Sequence, residues 1–466
     1  MKDQSFNVEN FIKIYYNENR KGNYIEGRFK AFKKVKERSD NIIQINQEFR
    51  EEMKQFKHGL ITKEALEKFK GIKNPYKERL IKDKHEQLEI ALLKIEEKIS
   101  KNNFSTKLDD SFIVKGKTVY TVDRSEPETF FLLKQLQRNI QYSFKVKQSD
   151  RFEIVSQVVN LLDDRFPKHV IRTDIKSFFE SISHDKLKSL IIQNHILSPF
   201  SKKIIFRILH DYAVKTGKNT GIPRGIGISA LLAELYMRDV DNSIKSLKNV
   251  IYYARYVDDI IVIVVPNSRY EKMRYLTYIK LFLRKWGLKI SLDKTKLFDL
   301  ASQSNKQESL DFLGYKFTFY NNKNDIEIQF THTKMDRIKR KIDLAIENYN
   351  VESKYNERKA RKMLIKRFQF LTGNTRLLNV KKNILVGIYF SNTFLTKTNQ
   401  LKGLDSFLKD KINRNLKPHP ALVHIDHDRL KKRLKKFSFE KGFEEKIFHK
   451  FSSNDLHQIM SIWKLS

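Results

Sequence analysis

Two strongly apolar runs separated by adjacent carboxylates constrain the fold of this chain more than any other feature. The runs are residues 249–254 and 260–265, and Asp258 and Asp259 lie between them. Short runs rich in β-branched and aromatic residues on either side of a polar pair predict a β-hairpin with both acids at its tip. Strands this apolar are expected to be buried, where carboxylates need a cation or a metal as partner. The pattern therefore predicts a hairpin that presents two carboxylates to a divalent cation.

Four more segments accompany this hairpin along the chain. Asp174 follows a short apolar strand and precedes two aromatic residues and a helix-start signal at 183–185. A glycine-rich segment, 221–229, leads into an apolar helix, and the segments 287–296 and 310–317 follow the hairpin.

In this order, the segments resemble the palm motifs A to E of reverse transcriptases. The resemblance covers roughly residues 110–330 with specific motifs. It implies an α+β right-hand polymerase with fingers, palm and thumb, and the activity of an RNA-directed DNA polymerase that transfers nucleotides from dNTPs. An RNA-dependent RNA polymerase and an RNA-binding scaffold with a vestigial palm are the alternatives.

The resemblance also implies roles for the acids and their neighbours. Asp174 and Asp258 would bridge two Mg²⁺ ions, with Mn²⁺ as a substitute, and Asp259 and the carbonyl of Ile175 would be further metal ligands. Lys294 in motif D would be an acid for pyrophosphate release, with Lys296 as the alternative. The implied primer grip, a tight turn that presses on the primer end, consists of Leu313, Gly314 and Tyr315.

Nucleotide selection is implied at motifs A and B. Phe179 stands where the family has an aromatic residue that excludes a ribose 2′-hydroxyl, and its alternative role is core packing. Motif B is usually Pro-Gln-Gly in the family, whereas this chain has Arg224 before Gly225. An arginine there adds a charged contact to a phosphate or base in place of the amide. Lys145 and Arg151, in a segment where alternation predicts a strand around 144–147, are further candidates for holding the triphosphate or template.

The chain is long enough for about three domains of typical size, and we expect five regions. Asn74 and Pro75 predict a helix start within the N-terminal region. The regions are a helical N-terminal extension (1–105), fingers (106–165), palm (166–330), helical thumb (331–420) and a basic helical C-terminal tail (421–466).

The charge balance points to a polyanionic partner. Lys and Arg number 92 against 55 Asp and Glu, a formal net charge of +37. An excess this large favours nucleic acid, since cations that neutralise phosphates release counterions. Basic helices in the thumb would follow a duplex backbone without reading its sequence. Their candidate residues are Lys334, Arg337, Arg340, Lys341, Arg361 and Lys362.

Composition also limits the compartment. The chain has no cysteine, which excludes disulfides and cysteine-ligated zinc. No apolar run reaches the roughly 18 residues of a membrane span, and the first residues lack a signal-peptide core, so we expect a cytoplasmic protein without membrane contact.

Finer features resemble bacterial defence-associated and abortive-infection reverse transcriptases. They are the element at 370–377, the compact fingers and the Gly-Ile-Gly-Ile-Ser run of motif B. The opening residues look most like the type 3 defence system, which implies a role in antiphage defence with a noncoding RNA and a second reverse transcriptase. A homo-oligomer and a retron-like enzyme are the alternatives. The expected partners are a template or noncoding RNA, dNTPs and the DNA product.

Overall fold

The computed structural model divides the chain into two compact units that mix helix and sheet. Unit 1 contains Met1–Gln148 and Phe179–Met237, and unit 2 contains Ser149–Phe178 and Arg238–Ser466. The structure describes residues 3–22, 24–101, 104, 106–114, 116–123, 125–163, 166–266, 271–300, 308–319, 326–377, 384–418 and 424–463.

Unit 1 is mainly helical. Its N-terminal part packs on the helix Pro127–Phe144 through buried aromatic residues, among them Phe11, Phe32 and Phe131. The elements are α1 (Val8–Arg20), α2 (Ile25–Arg28), a 3₁₀ turn (Lys30–Phe32), α3 (Lys33–Lys57), α4 (Lys63–Ser100), β1 (Leu108–Val114), β2 (Lys117–Val122), α5 (Pro127–Phe144), α8 (His184–Gln193), α9 (Pro199–Thr216) and most of α10 (Gly227–Lys245). The short helix α7 (Phe178–Ser181) has its first residue in unit 2 and its other residues in unit 1.

Two local predictions in unit 1 are wrong. Helix α4 does not start at Pro75 but runs through it, and its first half is tied to α3 by an edge-on contact between Phe49 and Phe69 and by the Lys73–Glu48 ion pair. Tertiary contacts therefore override the loss of one helical N–H at the proline.

The strand predicted around 144–147 is also absent. Helix α5 continues to Phe144 because apolar residues recur at helical spacing up to that residue. Lys145 then ends the helix in the left-handed region, with φ 51°. The short alternation that suggested a strand is the end of an amphipathic helix followed by irregular backbone.

Unit 2 contains two antiparallel sheets of more than two strands and a group of C-terminal helices. The first sheet has four strands in the spatial order Val250–Tyr256, Asp259–Val264, His169–Asp174 and Lys296–Asp299, and the second has three strands in chain order, Glu308–Phe312, Tyr315–Phe319 and Glu327–Phe330. The elements are α6 (Arg151–Asp163), β3 (His169–Asp174), the end of α10, β4 (Val250–Tyr256), β5 (Asp259–Val264), α11 (Glu271–Lys285), β6 (Lys296–Asp299), β7 (Glu308–Phe312), β8 (Tyr315–Phe319), β9 (Glu327–Phe330), α12 (His332–Thr372), β10 (Asn374–Leu377), β11 (Ile384–Gly387), α13 (Asn399–Asn415), α14 (His424–Leu434), α15 (Phe439–Glu444) and α16 (Ser453–Ser461).

One continuous core holds unit 2 together. It includes side chains of β3 and β5, of the second sheet, of α12 and α13, and of the last three helices, such as Leu434, Phe439 and Ile459. Buried apolar area is the main favourable term in folding. The helices beyond residue 421 therefore bury their apolar faces in the same core as α12.

Helix α12 is interrupted at one residue. Asn356 has φ −151° and ψ 88°, which is not helical, and its side chain accepts a hydrogen bond from the Lys359 backbone N–H at 3.0 Å. This is the arrangement of a helix N-cap. The 41-residue element is therefore two helices joined at Asn356.

Throughout the described part of the chain, no helix combines the length and the apolar character that crossing a membrane requires.

Candidate active site

The predicted hairpin is present in unit 2, and three carboxylates lie where the central strands β3 and β5 meet the turn. Strands β4 and β5 pair antiparallel, with Val257 and Asp258 in the turn between them. In the β3–β5 register Asp174 lies opposite Asp259. The Ile175 N–H donates to the Asp258 carbonyl at 3.0 Å, which ties the end of β3 to the turn. We call Asp174, Asp258 and Asp259 the carboxylate cluster.

The turn carries backbone strain and is held by a buried arginine. Val257 has φ 62°, a region that β-branched residues rarely adopt and that costs roughly 1–3 kcal/mol. Arg255, only 3% exposed, donates from Nη1 to the Val257 carbonyl at 2.9 Å. Its Nε and Nη2 donate to the two carboxylate oxygens of Asp241 at 3.0 and 2.9 Å. This charge-assisted pair fixes the arginine and therefore the strained turn.

Asp174 is joined to the motif D loop. Its Oδ1 accepts hydrogen bonds from Ser291 Oγ at 3.3 Å and from Lys294 Nζ at 3.2 Å. Its backbone carbonyl also accepts from the Ser291 N–H at 2.7 Å. The structure therefore brings the predicted Lys294 to the carboxylate cluster.

Asp259 is paired with Arg172, whose Nη2 donates to Asp259 Oδ1. Burial raises the pKa of Asp259, Arg172 opposes this, and the negative charges of Asp174 and Asp258 add to the increase. Burial is the largest cause of this raised pKa, and the contribution of the other two acids is the repulsion expected of carboxylates that share a site.

The acids face cations of the chain itself. Across the ranges described above, no group of three or more His, Cys, Asp or Glu side chains is arranged to hold a metal ion. The donor chemistry nevertheless fits Mg²⁺, since hard cations prefer carboxylate and carbonyl oxygens and would relieve the repulsion among the acids. Lys294 and Arg172 each bond to one carboxylate oxygen, Oδ1 of Asp174 and Oδ1 of Asp259, and would compete with a metal for these two oxygens.

The predicted primer grip is the tight turn between β7 and β8. Leu313 and Gly314 both have positive φ, 45° and 79°, as a two-residue hairpin turn requires. Arg151 Nε donates to the Leu313 carbonyl at 3.0 Å. A Cβ on Gly314 would lie 2.8 Å from Arg151 Nη2, so the glycine allows the guanidinium to approach the turn.

Lys334, at the start of α12, lies beside the same turn. Its Nζ is 4.2 Å from the ring centre of Tyr315 and 4.4 Å from that of Phe330, and it donates to Asn392 Oδ1 at 2.6 Å. Burial lowers the pKa of Lys334 to about 7, and the charges of Arg151 and Arg337 act in the same direction. The aromatic faces oppose this shift, since they favour an ammonium ion.

We call Arg151, Lys334, Tyr315, Phe330 and Asn392 the Arg151–Lys334 cluster. Within the described part of the chain, neither of its two cations forms an ion pair with a carboxylate. Two adjacent cations without an acid suit an anion such as a phosphate.

In unit 1 the structure brings Phe179, Arg224 and Gly225 together. The Arg224 guanidinium carbon lies 4.5 Å from the ring centre of Phe179. Its Nε and Nη2 donate to the two carboxylate oxygens of Glu180 at 2.8 and 3.0 Å. Burial works against the charge of Glu180, but the bonds and charge of Arg224 hold the pKa of Glu180 below its ordinary value. Gly225 has φ 94°, and a Cβ there would lie 2.5 Å from the Tyr120 carbonyl oxygen.

The remaining predicted cations lie on helices. Lys145 is exposed at the end of α5, where it lines a surface cavity of unit 1 with Tyr142 and Lys147. On α12, Lys341 stacks on Trp463 at 5.4 Å and Arg361 pairs with Glu357 at 3.4 Å. The exposed cations of α12 among those predicted are Arg337, Arg340 and Lys362.

Sequence reasoning missed the residues that hold the site in place. Arg172 and Arg255 each stand inside an apolar strand, and this was an available signal because a buried charge needs a partner. Their partners, Asp259 and Asp241, follow only from the three-dimensional structure. Nothing in the sequence pointed to the bond between Arg224 and Glu180.

The comparisons with known proteins identify a domain within the chain. Residues 129–317 match the family described as reverse transcriptase (RNA-dependent DNA polymerase), so a reverse transcriptase domain is present. A search of curated proteins gives no match.

The comparison with solved structures finds telomerases of two Candida species. Apo telomerase from Candida tropicalis is 12% identical, with 77% of this chain and 64% of that chain covered and a TM-score of 0.36. Telomerase from Candida albicans in complex with the TWJ fragment of telomeric RNA is also 12% identical, with 78% and 62% covered and a TM-score of 0.33. The chain thus spans less than two thirds of the length of these structures.

Proposed function

From the reverse transcriptase domain at residues 129–317, we propose that this protein is an RNA-directed DNA polymerase with the right-hand arrangement of fingers, palm and thumb. The observation that carries the proposal is the sheet register that sets Asp174 opposite Asp259, with Asp258 in the adjoining turn. Three acids at the end of the buried strands β3 and β5 are what two-metal nucleotidyl transfer needs.

Asp174, Asp258, Asp259 and the Ile175 carbonyl would hold Mg²⁺, or Mn²⁺ in its place. When bound, the metal would supply a lowered pKa at the primer 3′-hydroxyl and neutralise the charge of the triphosphate. Lys294 would leave Asp174 and give a proton to the departing pyrophosphate. Arg255 would keep the turn in place while the acids change partners.

The cations of unit 2 would hold the nucleic acid, and those of unit 1 would hold the nucleotide. We assign Arg151 to the primer end rather than to the triphosphate, because it is bonded to the Leu313 carbonyl and lies near Lys334. Arg337, Arg340, Lys341, Arg361 and Lys362 would bind the backbone of the duplex. Lys145, Arg224 and Gly225 would lie around the incoming nucleotide, and Phe179 would exclude a ribose.

Primer extension on an RNA template tests this proposal. Wild type with Mg²⁺ should extend a DNA primer with dNTPs, and Asp258→Ala with Asp259→Ala should abolish extension. The matched control is Glu51→Ala with Glu52→Ala, which removes two adjacent acids from the surface helix α3. DNA synthesis by the Asp258/Asp259 variant at the wild-type level would contradict the proposal.

An RNA-binding scaffold with a vestigial palm is the second candidate. The observation that favours it is that Asp174 and Asp259 are already paired with Lys294 and Arg172. A scaffold should bind RNA and act in cells equally well with and without the acids. A polymerase should lose its cellular effect together with its synthesis.

We further propose a role in bacterial antiphage defence of the type 3 kind, with a noncoding RNA and with a second reverse transcriptase or another copy of this chain. The support is the resemblance of the opening residues and the excess of positive charge, +37. Sequencing the nucleic acid that copurifies from a native-like host, before and after incubation with dNTPs and Mg²⁺, tests it. One discrete RNA with complementary DNA is the expected result, and a random mixture would contradict it.

A further inference from the structure

The contact between Arg224 and Phe179 carries an inference that deepens the proposed function. We propose that Arg224, clamped by Glu180, positions the Phe179 ring and so sets the discrimination between deoxyribonucleotides and ribonucleotides. Phe179 is the residue that meets the sugar, and Arg224 and Glu180 are positioning residues. The proposal rests on the polymerase function above and names its substrate class.

The guanidinium is held from two sides. Its two donors bind both oxygens of Glu180, at 2.8 and 3.0 Å, which fixes the guanidinium plane as well as its place. Its carbon then lies 4.5 Å from the Phe179 ring centre, within the range of a cation–π contact. Because Phe179 and Glu180 are neighbours on α7, the arginine bridges two side chains of one helical turn.

The backbone that carries Arg224 is also fixed. The Ile222 N–H donates to the Phe179 carbonyl at 2.9 Å, and the Tyr120 N–H donates to the Arg224 carbonyl at 2.8 Å. Gly221 and Gly225 have φ 98° and 94°, and a Cβ on either would lie closer than 3 Å to Tyr212 or to Tyr120. Backbone and side chain therefore hold the guanidinium against the ring, which leaves Phe179 little freedom to turn aside.

This arrangement differs from the role that an amide would have at the same position. Glu180 occupies two of the guanidinium donors, and the guanidinium lies on the ring, so the arginine side chain is committed to contacts within unit 1. Its solvent exposure is 18%. A loss of the clamp should therefore appear first in sugar selection rather than in triphosphate affinity.

The test compares the incorporation of one dNTP and of its rNTP on the same primer and RNA template. Glu180→Gln, Arg224→Gln and Arg224→Lys should each reduce the dNTP/rNTP ratio of kcat/KM about tenfold, the size of a stacked cation contact. Lysine keeps the charge but has no planar fork to bind both carboxylate oxygens. Glu180→Gln with Arg224→Gln together should reduce the ratio no further, because the two residues act as one clamp.

Phe179→Ala tests whether Arg224 and Glu180 act through the Phe179 ring, because a purely structural role of these two residues would not depend on that ring. It should lower the ratio more than any clamp variant, and adding Glu180→Gln to it should change nothing more. Asp83→Asn, which breaks the Arg38–Asp83 pair of unit 1 at 2.8 Å, is the matched control and should leave the ratio unchanged. Thermal unfolding of each variant shows whether the fold is kept.

The outcomes separate the two proposals. If wild type incorporates neither nucleotide, the polymerase function fails and this inference with it. If Phe179→Ala lowers the ratio but the clamp variants do not, the clamp alone is overturned. If the clamp variants raise KM equally for both sugars, Arg224 binds the triphosphate and does not position the ring.

Discussion

The carboxylate cluster and the Arg151–Lys334 cluster belong to the same unit, yet they treat charge in opposite ways. In the first, Asp174 and Asp259 each accept a hydrogen bond from a cation of the chain, Lys294 or Arg172. In the second, Arg151 and Lys334 donate to a carbonyl and an amide, and no described residue supplies a carboxylate to them.

This difference in partners indicates which kind of ligand each cluster would bind. Asp174 and Asp259 are each bonded to a cation of the chain that Mg²⁺ could replace. A lysine that is buried next to another cation is destabilised until an anion arrives. The carboxylate cluster is thus suited to a divalent cation, and the Arg151–Lys334 cluster is suited to a phosphate.

The largest effect is expected from removing one acid of the carboxylate cluster, which tests whether that cluster binds the metal. Asp174→Asn should reduce nucleotide incorporation roughly a thousandfold, since metal-based charge stabilisation contributes several kcal/mol to the transition state. Steady-state incorporation measured over a range of Mg²⁺ concentrations checks this. Activity within a few fold of wild type would show that Asp174 is not a metal ligand.

Removing the support of the hairpin turn should come next in size. Arg255→Met removes the charged partner of Asp241, a half-buried acid that keeps, among the described residues, only the hydrogen bond from the Tyr253 hydroxyl, and should lower the free energy of unfolding by roughly 3 kcal/mol. Urea denaturation measures this, and Arg414→Met, at an exposed Arg–Asp pair of α13, is the control. A loss as small as that of the control would mean that the buried pair does not hold the turn.

The lysine of the second cluster should make stability depend on pH. With its pKa lowered to about 7, folded protein releases the Lys334 proton at a lower pH than unfolded protein does. The unfolded state then binds more protons above pH 7, so stability rises with pH in that range. Compared with Lys334→Met, wild type should gain about 2 kcal/mol between about pH 7 and pH 9.

A stability difference that does not change with pH would contradict this prediction. If the stability difference between wild type and Lys334→Met stays constant from about pH 6 to pH 9, the amine keeps its proton. The aromatic faces of Tyr315 and Phe330 would then outweigh burial.

The smallest expected effect concerns nucleic acid binding. Arg151→Gln should weaken primer–template binding about tenfold and reduce the slope of log affinity against log salt by about one, as expected for one lost phosphate contact. Fluorescence anisotropy at several salt concentrations measures both quantities. An unchanged slope would remove Arg151 from the phosphate contacts.

The sequence predicted the centre of the candidate site better than its surroundings. The hairpin with Asp258 and Asp259 could be predicted because β-branched runs, a turn and a pair of acids are local signals. Asp174 could be added because the order of the motifs resembles a known family. The structure brings these acids together, while their catalytic roles remain predictions.

What could not be predicted depends on long-range register. Arg172 bonds to Asp259 only because β3 and β5 pair in one particular alignment. Arg255 of β4 bonds to Asp241 only because the last turns of α10 pack near that strand. The wrong predictions at Pro75 and around Lys145 have a related cause. At Pro75, packing continues α4 through the predicted helix start, and before Lys145 it extends α5 as far as Phe144, where a strand was predicted.

The interruption of α12 at Asn356 has a consequence for local unfolding. Because the second helix has its own cap, it can open and close without unravelling the first, and hydrogen exchange should show two protected blocks on either side of residue 356. Arg337 and Arg340 belong to one block, and Arg361 and Lys362 belong to the other. A nucleic acid that contacts both would couple their opening and make one cooperative element out of two.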